Sequence, residues 1–178
     1  ARSGPISRQI GYECGMAHLA LGQARQALDR FDAVLDGDPD HAASWFASHA
    51  AALELHGLDA ALDRLARATT RIGANGRYWA FPVAYGLLAG RDTAAIEAVR
   101  VAPFPARRAL VDGVRALAPF LPAPPRLFGL SASVLDFALD RAAQAGLVLE
   151  FGVRRGTSLN RLAARAGQVV HGFDSFEG

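Results

Sequence analysis

The sequence has no lysine and only one cysteine, Cys14, among its 178 residues. Its 19 basic side chains are therefore all arginines, and they outnumber the 17 acidic side chains only slightly. A lone thiol cannot form an internal disulfide, so nothing in the composition indicates an oxidising compartment. A net charge as small as +2 argues against a nucleic-acid partner. From these absences we expect a cytoplasmic protein.

Long apolar runs are also missing from the sequence. No stretch approaches the roughly 20 apolar residues of a membrane span, and no secretory signal is recognisable. We therefore expect no membrane partner. With 51% hydrophobic and 20% charged residues, the composition is typical of a globular protein. The sequence begins without methionine and stops at "DSFEG", which predicts that it is a fragment of a longer protein.

A period of 34 residues runs through the first hundred positions. Ala27, Ala61 and Ala95 follow one another at this spacing, and the two tryptophans share it. It is the length of a helix–turn–helix repeat in which small residues let two helices approach closely. We expect residues from about 8 to 118 to be helical, with Ala27, Phe31 and Ala61 buried where helices cross. A plain alanine-rich helical bundle is the alternative.

The first unit of this period is "GMAHLALGQARQALDRFDAVLDGDP", which resembles a tetratricopeptide (TPR) repeat. The positions that match the pattern, in order, are Gly15, Gly22, Ala27, Phe31 and Pro39. Two further units, at about 42–75 and 76–109, keep fewer matching positions. The resemblance implies TPR-like helical hairpins over residues 8–109. Because such repeats usually bind other proteins, it also implies a protein partner.

A proline-rich stretch follows the repeats. The segment "FLPAPPRLFG" contains three prolines, which prevent a helix from continuing. We therefore predict a helix and connector at 110–129, followed by a separate domain at 130–178. The start of that domain, "SASVLDFALDRAAQAG", predicts a helix that is capped by Ser131 and ended by Gly146.

The last part of the sequence predicts a β-α-β unit. The segment "LVLEFGV" is apolar without alternation, which is typical of a parallel strand buried on both faces. A turn from Gly152 to Gly156 leads into the helix "TSLNRLAARAG", capped by Thr157 or Ser158, and "QVVHGFD" is a second strand. The predicted fold class is therefore α + α/β. Parallel pairing of these strands would bring Gly152 and Asp174 to the same edge of the sheet.

The glycine turn does not match the common nucleotide-binding loops. The middle glycine of G-x-G-x-x-G is absent, two bulky arginines, Arg154 and Arg155, stand in the loop, and a P-loop needs a lysine, which the sequence lacks. Two acids flank the turn instead. Asp174, which closes the second strand, is suited to two ribose hydroxyls, and Glu150 is suited to an ammonium group. S-adenosylmethionine carries both a ribose and an ammonium group.

The stretches "LEFGVRRGTSLNRLA" and "VHGFDSFEG" together resemble the opening of the class I S-adenosylmethionine-dependent methyltransferases. The most similar branch is the one typified by macrocin O-methyltransferase, whose members carry E-F-G-V-x-x-G-x-S and, shortly afterwards, G-F-D-S-F-E-G. The resemblance covers about the last fifty residues. It implies a Rossmann-like methyltransferase sheet and an enzyme that O-methylates a small-molecule acceptor, such as a hydroxyl of a sugar or natural product.

The resemblance also implies roles for individual residues. Glu150 would contact the methionine end of the cofactor, and two glycines of the turn would let the cofactor approach closely. Asp174 would hold the ribose, with Ser175 and Phe176 near the adenosine. The complete set of predicted cofactor-binding residues is Glu150, Phe151, Gly152, Gly156, Ser158, Asp174, Ser175 and Phe176.

The sequence offers no catalytic residue and no metal ligand. Its histidines lack cysteine or aspartate at ligand spacing. The resemblance implies that the acceptor pocket, any general base and the ligands of a divalent cation belong to later strands. We therefore expect no turnover from this chain alone. The alternative is a TPR-type scaffold whose α/β part binds a nucleotide-like ligand without catalysis.

Overall fold

The computed structural model describes residues 5–71, 77–143, 145–175 and 177. Within these ranges the chain is mostly helical and has one small sheet of two strands. The helices are α1 (Pro5–Ala20), α2 (Ala24–Gly37), α3 (Ala42–His56), α4 (Leu58–Arg71), α5 (Ala80–Leu88), α6 (Ala94–Arg100), α7 (Pro105–Leu117), α8 (Ser131–Leu139) and α9 (Thr157–Arg165). The strands are β1 (Val148–Phe151) and β2 (Val170–Phe173). In the described ranges, no helix combines the length and apolarity needed to cross a membrane.

The first four helices form a row in which each packs on the next. Very short turns join α1 to α2 and α3 to α4, and this makes consecutive helices antiparallel neighbours. Gly22 lies in the first turn with φ 74° and Gly57 lies in the second with φ 84°. Glycine adopts these left-handed values without the penalty that a Cβ imposes. The described residues of the predicted helical region contain no strand, as expected.

The core of these hairpins lies where α1, α2 and α3 meet. Ala27, Phe31 and Ala61 have no exposed surface, which confirms the burial predicted from the 34-residue period. Gly15 on α1 faces Phe31 so closely that a Cβ there would lie 2.5 Å from the ring. Glycine at this position therefore lets α1 approach the phenylalanine of α2.

The segment after the prolines packs against this same core. Leu130 and Ala132 are buried in the cluster that contains Ala27 and Phe31. The backbone N–H of Gly129 donates to the Glu54 carboxylate at 3.1 Å. The predicted division at 129/130 therefore falls within a packed region, and the three-segment domain organisation stays a prediction.

The predicted ends of α8 are wrong in part. The helix begins at Ser131, but the capping position belongs to Leu130 in an extended conformation, and no side chain caps it. The helix ends at Leu139, well before Gly146. Asp140 and Arg141 form a turn after the helix. The helical periodicity of the sequence therefore continues beyond the last helical residue.

A cluster of aromatic side chains joins α3 to α5. Phe46 stacks on Tyr78 with ring centres 3.9 Å apart, and His49 lies edge-on to Phe81 at 5.4 Å. His49 is only 6% exposed, and its Nδ1–H donates to the carbonyl oxygen of Phe46. Burial lowers the pKa of His49 below its ordinary value of 6.5, and the hydrogen bond to Phe46 offsets part of this effect.

This buried histidine predicts a loss of stability in mild acid. The unfolded chain takes up a proton at His49 as the pH falls through 6.5, whereas the folded chain does so only at a lower pH. The contribution of His49 to the free energy of unfolding is therefore fully present above pH 6.5. It decreases as the pH falls below 6.5. Urea unfolding of His49→Phe should show a weaker decrease between about pH 7.5 and pH 5 than the wild type. Equal decreases would show that His49 does not carry the effect.

Candidate functional site

The two strands pair in parallel, as the sequence predicts. The register joins Val148 to Val170 and Phe151 to Phe173. The pairing continues one step further, because the Gly152 N–H donates to the Phe173 carbonyl oxygen at 2.8 Å. Gly152 and Asp174 therefore leave the sheet side by side at its carboxyl edge. Open α/β sheets bind ligands at this edge.

The turn between β1 and α9 holds three residues in the left-handed region. Gly152 has φ 87°, Arg154 has φ 50° and Gly156 has φ 72°. The turn closes when the Gly156 N–H donates to the Val153 carbonyl oxygen at 2.8 Å. A left-handed arginine is strained, and residues in such conformations are concentrated at functional sites. The strain marks the turn as a segment held in a required shape.

Asp174 holds this turn in place. One of its carboxylate oxygens, Oδ2, accepts the backbone N–H of Arg154 at 2.5 Å. This hydrogen bond joins the end of β2 to the strained residue of the turn. The sequence predicted that Asp174 and Gly152 lie at one edge, but it did not predict this contact.

Glu150 lies on β1 beneath the start of α9. Its Oε1 accepts the hydroxyl of Ser158, whereas Oε2 is buried and has no hydrogen-bond partner in the part of the chain that the structure describes. A buried polar atom without a partner costs about 1–3 kcal/mol. A carboxylate oxygen in this condition is suited to a donor that a ligand brings, and an ammonium group is such a donor.

The contact between Ser158 and Glu150 corrects the predicted cap of α9. Neither Thr157 nor Ser158 caps the helix, because the capping position belongs to Gly156. No side chain forms a capping hydrogen bond there. The Ser158 hydroxyl points to the carboxylate instead of the first N–H groups. These N–H groups are therefore left for a ligand or for water.

The sheet is covered on one face only, so the prediction that β1 is buried on both faces is wrong. Leu159 of α9 packs on Gly172, where a Cβ would lie 2.8 Å from the leucine side chain. The opposite face carries Leu149 and the stacked rings of Phe151 and Phe173, all of them exposed. Among the described residues, β1 and β2 have no third strand beside them. Both outer edges are therefore unpaired there.

The remaining predicted site residues are Phe151, Ser175 and Phe176. Phe151 is 76% exposed, with its ring on the open face of the sheet rather than beneath the turn. Ser175 is exposed beside Asp174, and its hydroxyl accepts the Glu177 N–H at 3.4 Å. Phe176 lies outside the described residues. Within the described ranges, no three His, Cys, Asp or Glu side chains are grouped to hold a metal ion.

A cavity of about 750 Å³ reaches Ser158 from the side of the helical hairpins. The last residues of α1, together with α8 and α9, surround it. Arg161 lines it and pairs with Asp136 of α8. Neither member of this pair is among the residues predicted from the sequence. They lie 25 residues apart on two helices, and no local motif connects such positions.

Comparison of the sequence with models of known protein families gives no match, and comparison with curated proteins gives none either. The methyltransferase and TPR resemblances therefore stay predictions, supported by the residues that carry them.

Proposed function

We propose that this protein is a cytoplasmic S-adenosylmethionine-dependent methyltransferase that acts on a hydroxyl of a small-molecule acceptor, such as a sugar or natural product. The cofactor is held at the carboxyl edge of the sheet by the turn from Gly152 to Gly156, with Glu150 and Asp174 on either side. The observation that supports this proposal best is the buried Oε2 of Glu150 next to that turn, which has no hydrogen-bond partner among the described residues.

The chemistry of the two acids fits this cofactor. The ammonium group would supply the donor that Glu150 Oε2 lacks, as a charge-assisted hydrogen bond. Asp174 stands at the end of the adjacent strand, where a carboxylate can accept from ribose hydroxyls. The cofactor's carboxylate would meet the first N–H groups of α9, which has no side-chain cap. The ammonium group, the ribose hydroxyls and the carboxylate of the cofactor would thus each have a partner of the matching kind.

Glu150 argues against a phosphate ligand. Its carboxylate lies next to the turn that would hold the ligand, and it would repel a diphosphate. The chain also has no lysine with which to balance that charge. A ligand with a positive amine and no phosphate is therefore favoured.

These contacts indicate what the cofactor and the protein would each contribute to the reaction. When bound, S-adenosylmethionine supplies a methyl group activated by a sulfonium. Glu150 and Asp174 would bind and orient it, and the strained turn would keep its backbone N–H groups in fixed positions. We assign no general base and no metal ligand to this chain. A divalent cation, if the reaction uses one, would be held by residues outside this sequence.

The helical hairpins support a second role, as TPR-like repeats that bind a protein partner. Two ion pairs join successive units of the 34-residue period. They are Asp32 with Arg64 and Asp59 with Arg91, each at 2.5 Å, although the two pairs do not lie at equivalent positions of the period. Contacts between successive units are expected of stacked repeats. In the alternative function, these repeats form a scaffold and the α/β part binds its ligand without catalysis.

Replacing Asp174 by alanine tests the cofactor proposal. In the full-length protein, Asp174→Ala should weaken S-adenosylmethionine binding by about 1.5–3 kcal/mol, the usual loss for hydrogen bonds to a charged group. Calorimetry measures the change. The control is Asp29→Ala, which removes an exposed acid from α2 and should leave the affinity unchanged. Asp174→Asn keeps an acceptor for the Arg154 N–H, so it separates the loss of charge from loosening of the turn. An unchanged affinity in Asp174→Ala would refute the proposed role.

A further inference from the structure

Arg161 of α9 joins three separate elements. Its Nε and Nη2 donate to the two carboxylate oxygens of Asp136 on α8, at 2.8 and 2.6 Å. Its Nη1 donates to the Leu21 carbonyl oxygen in the turn between α1 and α2, at 3.3 Å. The paired hydrogen bonds to Asp136 fix the plane of the guanidinium as well as its position. One side chain therefore connects the helical hairpins to the helix that begins at the glycine turn.

Gly22 in that α1–α2 turn is packed directly against this connection. A Cβ at Gly22 would lie 2.7 Å from the Cβ of Ala132 and 2.7 Å from Nη1 of Arg161. Ala132 belongs to α8 and is buried in the core of the hairpins, so it cannot move aside easily. The guanidinium fits between the turn and α8 because position 22 has no side chain.

We propose that Arg161 is a positioning residue that couples the α1–α2 turn to the glycine turn, so that the shape of the helical hairpins sets the affinity of the cofactor site. The identity of the ligand, S-adenosylmethionine, rests on the proposed function. The coupling itself rests on the contacts of Arg161 and Gly22.

The dimensions of α9 explain why it needs such a connection. It has nine residues, none of them fully buried, and helices of this length are not stable without tertiary contacts. Arg161 lies one helical turn after Ser158, whose hydroxyl contacts Glu150. A shift of Arg161 would therefore move the helix start together with the groups that would meet the cofactor.

The sharpest test changes Gly22 and leaves the site untouched. Gly22→Ala should weaken binding of S-adenosylmethionine to the full-length protein about fivefold, a size typical of coupled residues in one network. It should also speed amide hydrogen exchange in α9, which needs no ligand to measure. The matched control is Gly90→Ala. Gly90 is also left-handed, with φ 67°, but a Cβ there would meet no atom within 4 Å in the described ranges. The control should change neither the affinity nor exchange in α9.

A second variant shows whether Arg161 transmits the effect. In an Arg161→Gln background, Gly22→Ala should change the affinity and the exchange less than it does in the wild type, because only its contact with Ala132 remains. Arg161→Gln alone should reproduce both effects without straining the α1–α2 turn. If it reproduces neither, or if Gly22→Ala behaves like Gly90→Ala, the proposal is wrong. If wild-type protein does not bind S-adenosylmethionine, the proposed function is wrong, and unchanged exchange in α9 would still refute the coupling independently.

Discussion

Gly152→Val is expected to abolish detectable binding of S-adenosylmethionine. A Cβ at Gly152 would meet no atom of the described residues within 4 Å, so that part of the chain leaves the space above it open. This is the space that the cofactor would enter, and a valine side chain would fill it. The φ of 87° is also unfavourable for a β-branched residue. Isothermal calorimetry and competition with S-adenosylhomocysteine would both measure the loss.

A matched control separates loss of the site from strain in the backbone. Gly167 has φ 63°, and a Cβ there would likewise have no described atom within 4 Å, but Gly167 precedes β2 at the opposite edge of the sheet. Gly167→Val should therefore lower stability without preventing cofactor binding. If the two variants bind the cofactor equally well, Gly152 does not form part of the site.

Phe31→Ala should lower the free energy of unfolding by about 3–5 kcal/mol, the usual cost of removing a fully buried aromatic side chain. Phe31 has no exposed surface. It contacts Tyr12 with ring centres 6.0 Å apart. Its ring occupies the space that a side chain at Gly15 would need. The remaining cavity cannot collapse easily, because Phe31 belongs to the same cluster as Leu130 and Ala132.

Urea unfolding followed by circular dichroism measures this change. The control is Phe120→Ala, since Phe120 is 85% exposed and its loss should change stability by less than about 0.5 kcal/mol. Similar losses in the two variants would show that Phe31 is not a central residue of the core.

Local patterns predicted the parts of the fold that depend on local spacing. The 34-residue period predicted the burial of Ala27, Phe31 and Ala61, but Ala95, the next alanine of the period, is exposed on α6. The apolar segments before and after the glycine turn gave the parallel strands. That pairing then brought Gly152 and Asp174 to one edge. These features follow from short sequence signals and from the handedness of β-α-β units.

The features that the sequence missed depend on contacts between distant residues. Arg161 and Leu21 are 140 positions apart, and neither is a defining position of the stretch in which it lies. The cap of α9 was mispredicted because Ser158 is drawn to Glu150, a partner on the neighbouring strand. The open face of β1 was missed because an apolar segment does not reveal how many layers cover it.

One titration tests most directly whether the carboxyl edge of the sheet binds S-adenosylmethionine. Calorimetric titration of the full-length protein with S-adenosylmethionine, and separately with NAD and ATP, compares the amine ligand with two ligands that carry linked phosphates. We predict saturable binding of S-adenosylmethionine at one site and no binding of NAD or ATP there. Tighter binding of either phosphate ligand, or no saturable heat with S-adenosylmethionine, would contradict the proposed function.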